Sequence, residues 1–469
     1  MTSVWVSDGS VLDAQRALGS QTEHISAASV NDLQRVCQIA AEKIQWCNSL
    51  STSAGEKASK LQQVERSLTL RQHDQWRKVL CIAQNLLERG KHKAVRRYTL
   101  LSLERIFITP GVTGLANDGN TCFMNACLQP LSAIPMLRDF FVNGHFLSFL
   151  NLSNTASKGR VLCAYGALQK ILSSGKFSRL SAKPLLDEIC QSVNNMFGDR
   201  EPHDAQEFLS ALLDTLHEDL NQVVQRQPLQ SPEEATSVVE GAEVEWENAR
   251  RLGWSVISFL FQGQVLSVVK CSECHSESNK FDNFTQITLE FPTKKLCSLK
   301  DCVIAHLREE DIAGAEWRCD QCQQLRSATK TMYFWQLPNL LIVHLKRFAY
   351  ANGQFTKKET RVTFPVSFDM HEFVHKQSPY KPQPYNLFAI TDHQGSLTRG
   401  HYTALCRNPN NGHWYHFDDE TVTAEDYDTS EVESGQYNSK VAYILYYTAH
   451  HWFPRSEHST ASDACATPN

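Results

Sequence analysis

Gly114-Leu-Ala-Asn117-Asp118-Gly-Asn-Thr121-Cys122-Phe-Met-Asn125-Ala-Cys127-Leu-Gln129 is the stretch from which the rest of the chain is best read. Its first half, Asn117 to Thr121, consists of turn-forming and helix-capping residue types. Phe123, Cys127 and Leu128 then recur at helical spacing. The pattern predicts a helix that begins at or near Cys122. Unpaired backbone N–H groups and the dipole at that end favour thiolate over thiol, and the same N–H groups can hold an oxyanion. Asn117 offers a side-chain amide close by. The competing reading is a buried structural cysteine ahead of a core helix, and residues far downstream decide between the two.

A cysteine nucleophile needs a base and a group that orients the base. Gly400-His401-Tyr402-Thr403-Ala404 follows a loop that contains Gly395. Trp414 to Asp418 alternates like a strand, and it runs out into two carboxylates, Asp418 and Asp419. The turn-like Asn408-Pro-Asn-Asn-Gly412 between them predicts an antiparallel hairpin across which His401 and Asp418 meet. A second histidine, His344, lies in the buried-strand pattern Leu340–Leu345 and reads as structural.

Two CxxC pairs, Cys271/Cys274 and Cys319/Cys322, can each present two thiolates from one tight knuckle. Four thiolates in a tetrahedron suit structural Zn²⁺ and leave no open position for a catalytic metal. The long separation of the pairs predicts that they clamp two separate hairpins. Unligated thiols or a redox pair are the alternatives.

Together the Cys122 stretch and the Gly-His-Tyr box resemble the ubiquitin-specific protease family of deubiquitinating cysteine proteases, from about Gly111 to Tyr447. The resemblance implies an α+β, papain-like fold with a helical thumb, a β-sheet palm and zinc-ribbon fingers at about 262–335. It implies Cys122 as nucleophile, His401 as base, Asp418 as its orienting group with Asp419 sharing the task, and Asn117 as oxyanion donor. Asp204, in Pro202-His-Asp204-Ala-Gln-Glu-Phe208, matches the box that faces the basic tail of ubiquitin. The implied partners are ubiquitin and ubiquitinated proteins, and the implied reaction is hydrolysis after ubiquitin's C-terminal glycine. Asp118 departs from the pattern, which usually has Leu there. A carboxylate pointing inward beside the oxyanion donor would slow the enzyme, so a catalytically impaired ubiquitin-binding scaffold is the alternative. A ubiquitin-like modifier as substrate and a zinc-organised interaction module are two more.

Composition bounds these readings. The chain has 469 residues, 42% hydrophobic and 21% charged, and a net charge of −5 supplies no basic field for nucleic acid. Fifteen cysteines, an odd number, with no secretory pattern at Met1–Asp8, predict an intracellular protein of the cytoplasm or nucleus. No uncharged run reaches the length of a membrane span, and a monomer is expected. Residues 1–108 predict a small helical region with a mobile start, in which the basic cluster Arg89 to Arg97 reads as a solvated face. Residues 111–449 form the expected catalytic domain, and 450–469 a disordered tail. Gln227 to Glu247, polar and acidic, predicts an inserted loop. Pro130 removes the helical hydrogen bond to Ala126 and predicts a kink or an end there.

Overall fold

The computed structural model describes residues 108–192, 195–223, 227–231, 235–293, 295–351, 354–396, 399–425 and 437–449. The helical region expected over 1–108, with its basic cluster, and the tail expected over 450–469 lie outside the described residues. The chain divides into two compact units, and the fold is α+β.

The first unit comprises Met1–Gly119, Pro135–Glu201 and Ala211–Val224. It holds the two-residue strand β1 (Gly114–Leu115), paired in parallel with β2 (Arg179–Leu180). Helices α2 (Pro135–Val142), α3 (Arg160–Leu172) and α4 (Lys183–Ser192) supply its apolar core. Tyr165 of α3 lies edge-on to Phe141 of α2 at 4.8 Å. The start of α3 is closed by a buried carboxylate. Asp219 accepts the backbone N–H groups of Gly159 and Leu162, the Asn154 amide and the Ser157 hydroxyl. A helix N-terminus stabilises such a charge without a cationic partner.

The second unit comprises Asn120–Ile134, Pro202–Ser210 and Gln225–Asn469. It opens with α1 (Cys122–Ser132) and takes the first turns of α5 (Ala205–Leu220). An eight-stranded sheet dominates it. From one edge the order is β17 (Thr421–Glu425), β16 (Trp414–Asp418), β15 (Gly400–Arg407), β14 (Tyr385–Gly395), β19 (Ala442–Thr448), β9 (Leu340–Leu345) and β5 (Ile287–Leu289), with β13 (Ser367–Phe368) beside β14. Neighbours are antiparallel except β5 and β9. The last described strand, β19, therefore fills the slot between β14 and β9. β9 and β19 are mostly apolar, and every residue of each is buried.

Helix α1 packs on β14 and β15, and Pro130 explains part of the fit. The helix runs through Pro130 and stops two residues later, at Ser132. Proline leaves the carbonyl of Ala126 without its helical donor. Thr391 of β14 takes the place, with Oγ1 donating to that carbonyl at 2.9 Å. A buried acceptor left unmade costs about 1–3 kcal/mol. Thr391→Val, which keeps the shape and removes the donor, is expected to lower stability by about that amount. The loss should largely vanish in a Pro130→Ala background, where residue 130 can donate. Urea melts of the two single variants and the double would show the coupling, and additive losses would contradict it.

The second sheet of this unit has four strands, ordered β4 (Glu277–Phe284), β3 (Gly263–Cys271), β8 (Gln324–Gln336) and β7 (Glu310–Cys319). All are antiparallel. Two smaller sheets pair β10 (Phe348–Ala351) with β11 (Gln354–Lys357), and β12 (Arg361–Phe364) with β6 (Leu296–Ser298) and β18 (Tyr437–Ser439). The base of the four-stranded sheet rests on a small core of Ala242, Leu266, Phe281 and Trp335. Ala242 belongs to α6 (Val238–Leu252), which corrects the expected loop over 227–247. Ser237 caps that helix by accepting from Glu240 N–H, and Glu247 pairs with Arg250 and Arg251 along its face. The high charge suggested a loop, but Gly241, Ala242 and Asn248 of the helix are buried. Val238, Val239 and Ala242 at helical spacing behind a Ser-x-x-Glu box were the available signal.

Candidate active site

Cys122 is the first residue of α1. Gly119 and Asn120 hold left-handed backbone angles, φ 96° and 57°, which turn the chain into the helix. Glycine and asparagine are the types that tolerate this region. Thr121 occupies the cap position without a side-chain cap bond, and its carbonyl accepts from Met124 and Asn125. The thiol is buried, with 6% of Cys122 exposed. Burial pushes it above the usual cysteine range, and the nearby Asp419 carboxylate adds to the rise. The backbone N–H of Tyr402 and those of Phe123 and Cys122 at the helix start pull the other way without prevailing. The expectation of a thiolate favoured by the helix end is thus outweighed: desolvation of the charged form is the larger effect.

The Asn408–Gly412 turn joins β15 and β16 as the spacing suggested, and Ala404 lies opposite Phe417. His401, second in β15, and Asp418, last in β16, meet at Nε2···Oδ1 2.6 Å. Asp419 follows in the tight turn to β17, where Asp418 lies opposite Thr421. Its φ is 49°, a left-handed angle that aspartate tolerates better than most residues. One carboxylate oxygen of Asp419 stands 4.0 Å from His401 Nε2. The other accepts the side-chain amide of Asn125 at 2.8 Å. Cys122, His401, Asp418 and Asp419 all belong to the second unit. The thiol and the imidazole are not hydrogen-bonded to each other, and such bonds commonly tighten only once substrate is bound.

Asn125 was missed from sequence. Its signal was position, one helical turn beyond Cys122 on the same face. Beneath His401, the ring of His393 packs so tightly against Gly400 that a Cβ there would lie 2.1 Å from Nε2. Only glycine fits before His401.

The remaining candidates are placed as follows. Asp204 is half-buried just ahead of α5, accepting the N–H of Gln206 at 2.7 Å and the hydroxyl of Tyr443 at 2.5 Å. His344 is buried edge-on to Tyr443 at 4.8 Å, with Nδ1 3.2 Å from the Thr288 hydroxyl. Burial pushes its imidazole down to about 4, so it is neutral at pH 7 and a poor base. Asn117 and Asp118 are exposed and belong to the first unit. There the Ser181 hydroxyl donates to the Asp118 carboxylate.

The two CxxC pairs sit on separate hairpins, β3–β4 and β7–β8. Cys271 and Cys319 are the last residues of their strands. Each knuckle ends with a left-handed residue after its second cysteine, His275 at φ 57° and Gln323 at φ 56°. The four sulfurs lie within 4.8 Å of one another, with Cys274–Cys319 at 3.6 Å and Cys271–Cys322 at 4.0 Å. A tetrahedron with metal–sulfur bonds of ~2.3 Å has edges of about 3.8 Å. The donor set and its spacing therefore fit a four-coordinate metal ion.

The chain matches the family model described as Ubiquitin carboxyl-terminal hydrolase over residues 113–447. It is 30% identical over 382 residues to Ubiquitin carboxyl-terminal hydrolase 5 of Saccharomyces cerevisiae, covering 75% of this chain and 46% of that protein. With Ubiquitin carboxyl-terminal hydrolase 2 of Homo sapiens the identity is 32% over 343 residues, covering 72% and 55%. The chain thus spans about half the length of these relatives. Among solved structures, the SAGA Ubp8/Sgf11/Sus1/Sgf73 DUB module bound to ubiquitin aldehyde is similar in fold. Its TM-score is 0.54 at 21% identity, covering 78% of this chain and 75% of that one.

Proposed function

We propose, from the premise that the chain belongs to the ubiquitin carboxyl-terminal hydrolase family, that it is a thiol-dependent deubiquitinase. It hydrolyses the isopeptide or peptide bond after the C-terminal glycine of ubiquitin. The observation that carries this is the 2.6 Å His401–Asp418 contact in the same unit as a buried cysteine at a helix start. Asp418 holds Nε2 of the imidazole, which leaves Nδ1 as the nitrogen that exchanges a proton with the thiol.

In the proposed reaction the Cys122 sulfur attacks the glycine carbonyl while its proton passes to His401. The tetrahedral oxyanion is held by the backbone N–H of Cys122. His401 then protonates the departing amine as the carbon–nitrogen bond breaks and a thioester remains. Water attacks the thioester, gives a proton to His401 and releases free ubiquitin, and the proton returns to the cysteine. Asp418 orients the imidazole and stabilises its charged form, with Asp419 as a second carboxylate. Because burial keeps the thiol neutral, proton transfer accompanies attack rather than preceding it.

Asp204 is assigned to the basic tail of ubiquitin, its carboxylate aimed by Tyr443. Zn²⁺ is assigned to Cys271, Cys274, Cys319 and Cys322, where it ties two hairpins together and supplies no chemistry. The catalytic domain is assigned to 111–449, acting as an intracellular monomer on ubiquitinated proteins. Among the described residues no helix is long and apolar enough to cross a membrane.

The test is ubiquitin carrying a C-terminal thiol-reactive warhead, followed by intact mass, with Cys122→Ala beside it. A single adduct lost in the variant is expected. A folded, metal-loaded protein that forms none would overturn the proposal.

A further inference from the structure

The helix that carries the nucleophile also reaches the acid that faces the base. Asn125 is buried, 3% exposed, one turn along α1 from Cys122. Its amide donates to Asp419 Oδ1 at 2.8 Å, across 294 positions of sequence. Asp419 needs such an anchor. It sits in a two-residue turn at φ 49°, and a left-handed aspartate has other turn conformations open to it. Its side chain is nonetheless only 11% exposed, and its Oδ2 stands 4.0 Å from His401 Nε2.

We infer that Asn125 is a positioning residue that fixes the Asp419 carboxylate between nucleophile and base, so that α1 sets the charge both of them feel. The inference rests on the proposed catalytic roles of Cys122 and His401. The carboxylate opposes a negative charge on the thiol, and burial of the thiol strengthens the effect. An amide donor suits this task, because it accepts no proton and adds no net charge. The charged and titratable groups that face these two centres are few. Asp419 and the Tyr402 backbone face Cys122 from the β16–β17 turn and from β15. Asp418, Asp419 and the neutral His393 face His401.

Two substitutions at one position are expected to move the thiol in opposite directions. Asn125→Ala releases Asp419 toward solvent, and the alkylation midpoint of Cys122 should fall by about half a pH unit. Asn125→Asp sets a second carboxylate beside the first, and the midpoint should rise by about one unit or more. With ubiquitin fused to a fluorescent leaving group, Asn125→Ala is expected to lower kcat by about 10- to 100-fold with KM within about twofold.

The experiment is peptide-resolved iodoacetamide alkylation of Cys122 in the full chain between pH 6 and 10. If Asn125→Asp does not fold, Asn125→Asp/Asp419→Asn rebuilds the hydrogen bond with its charge moved onto the helix. That pair should recover the melting temperature and still show a displaced midpoint. Midpoints unchanged in every folded variant, or shifted in the same direction by Asn125→Ala and Asn125→Asp, would overturn the inference. Alkylation needs no ubiquitin, so a failure of the deubiquitinase proposal itself would show separately, as a wild-type chain that alkylates normally and cleaves nothing.

Discussion

His401→Ala is expected to lower kcat for ubiquitin release by on the order of 10⁴-fold, with KM changed by less than about threefold. The size follows from the state of the nucleophile. The Cys122 thiol lies above the ordinary cysteine range because it is buried and because Asp419 is close. Burial disfavours the thiolate, so the proposed reaction depends on a neighbour that takes the proton during attack. His401 is held for that proposed task through one nitrogen, and the buried imidazoles His344 and His393 do not replace it. His344 and His393 are each pushed down to about 4 by burial, and both are ring-packed in the sheet. The residual rate of the variant should climb about tenfold per pH unit from 7 to 9, since each unit multiplies the thiolate fraction by ten while pH stays below the thiol pKa. Steady-state kinetics over that range check both parts. A variant within tenfold of wild type at pH 7 would remove His401 from the base role, and a flat profile would mean the nucleophile is already ionised.

Removing the proposed metal is expected to have the next largest effect, and a local one. Structural Zn²⁺ bound by thiolates supplies about 10–16 kcal/mol in small zinc-dependent folds. The four-stranded sheet has little else to hold its far end. The small core of Ala242, Leu266, Phe281 and Trp335 lies at its base. Residues 277–280 of β4, beside the first knuckle, are all exposed. Both knuckles also carry a side chain at a left-handed angle, a strain that needs an external tie. Stripping the ion with a strong chelator, or Cys274→Ser, should therefore melt 263–284 and 310–336. The eight-stranded sheet, whose strands β9 and β19 are buried throughout, should survive. Hydrogen exchange resolved by peptide distinguishes the outcomes. Unchanged protection at the knuckles after verified loss of metal would mean the thiols are structural without an ion.

Much of this was legible in sequence, because certain residue types have few uses. The two CxxC knuckles, the hairpin at Asn408–Gly412 and the helix start at Cys122 each follow from local chemistry, and each lies where its pattern put it. What sequence hides is competition between terms. A helix start lowers a thiol and burial raises it, and only packing tells which is larger. The same holds for α6, whose charge suggested a loop until its apolar face was seen against Phe281. Long-range pairings are also silent. Nothing in the α1 sequence announces that Ala126 and Asn125 are partnered by Thr391 and Asp419.

Those pairings bear on when the chain acquires its chemistry. A ribosome delivers Cys122 well before Thr391 and Asp419, the residues that moor its helix. The slot between β14 and β9 stays open until β19 is made. A nascent chain therefore carries a cysteine that is chemically idle, with no base beside it and no sheet to press against. On the proposed mechanism, the cysteine gains its base and its supporting sheet only after β14, β15 and β19 have been made.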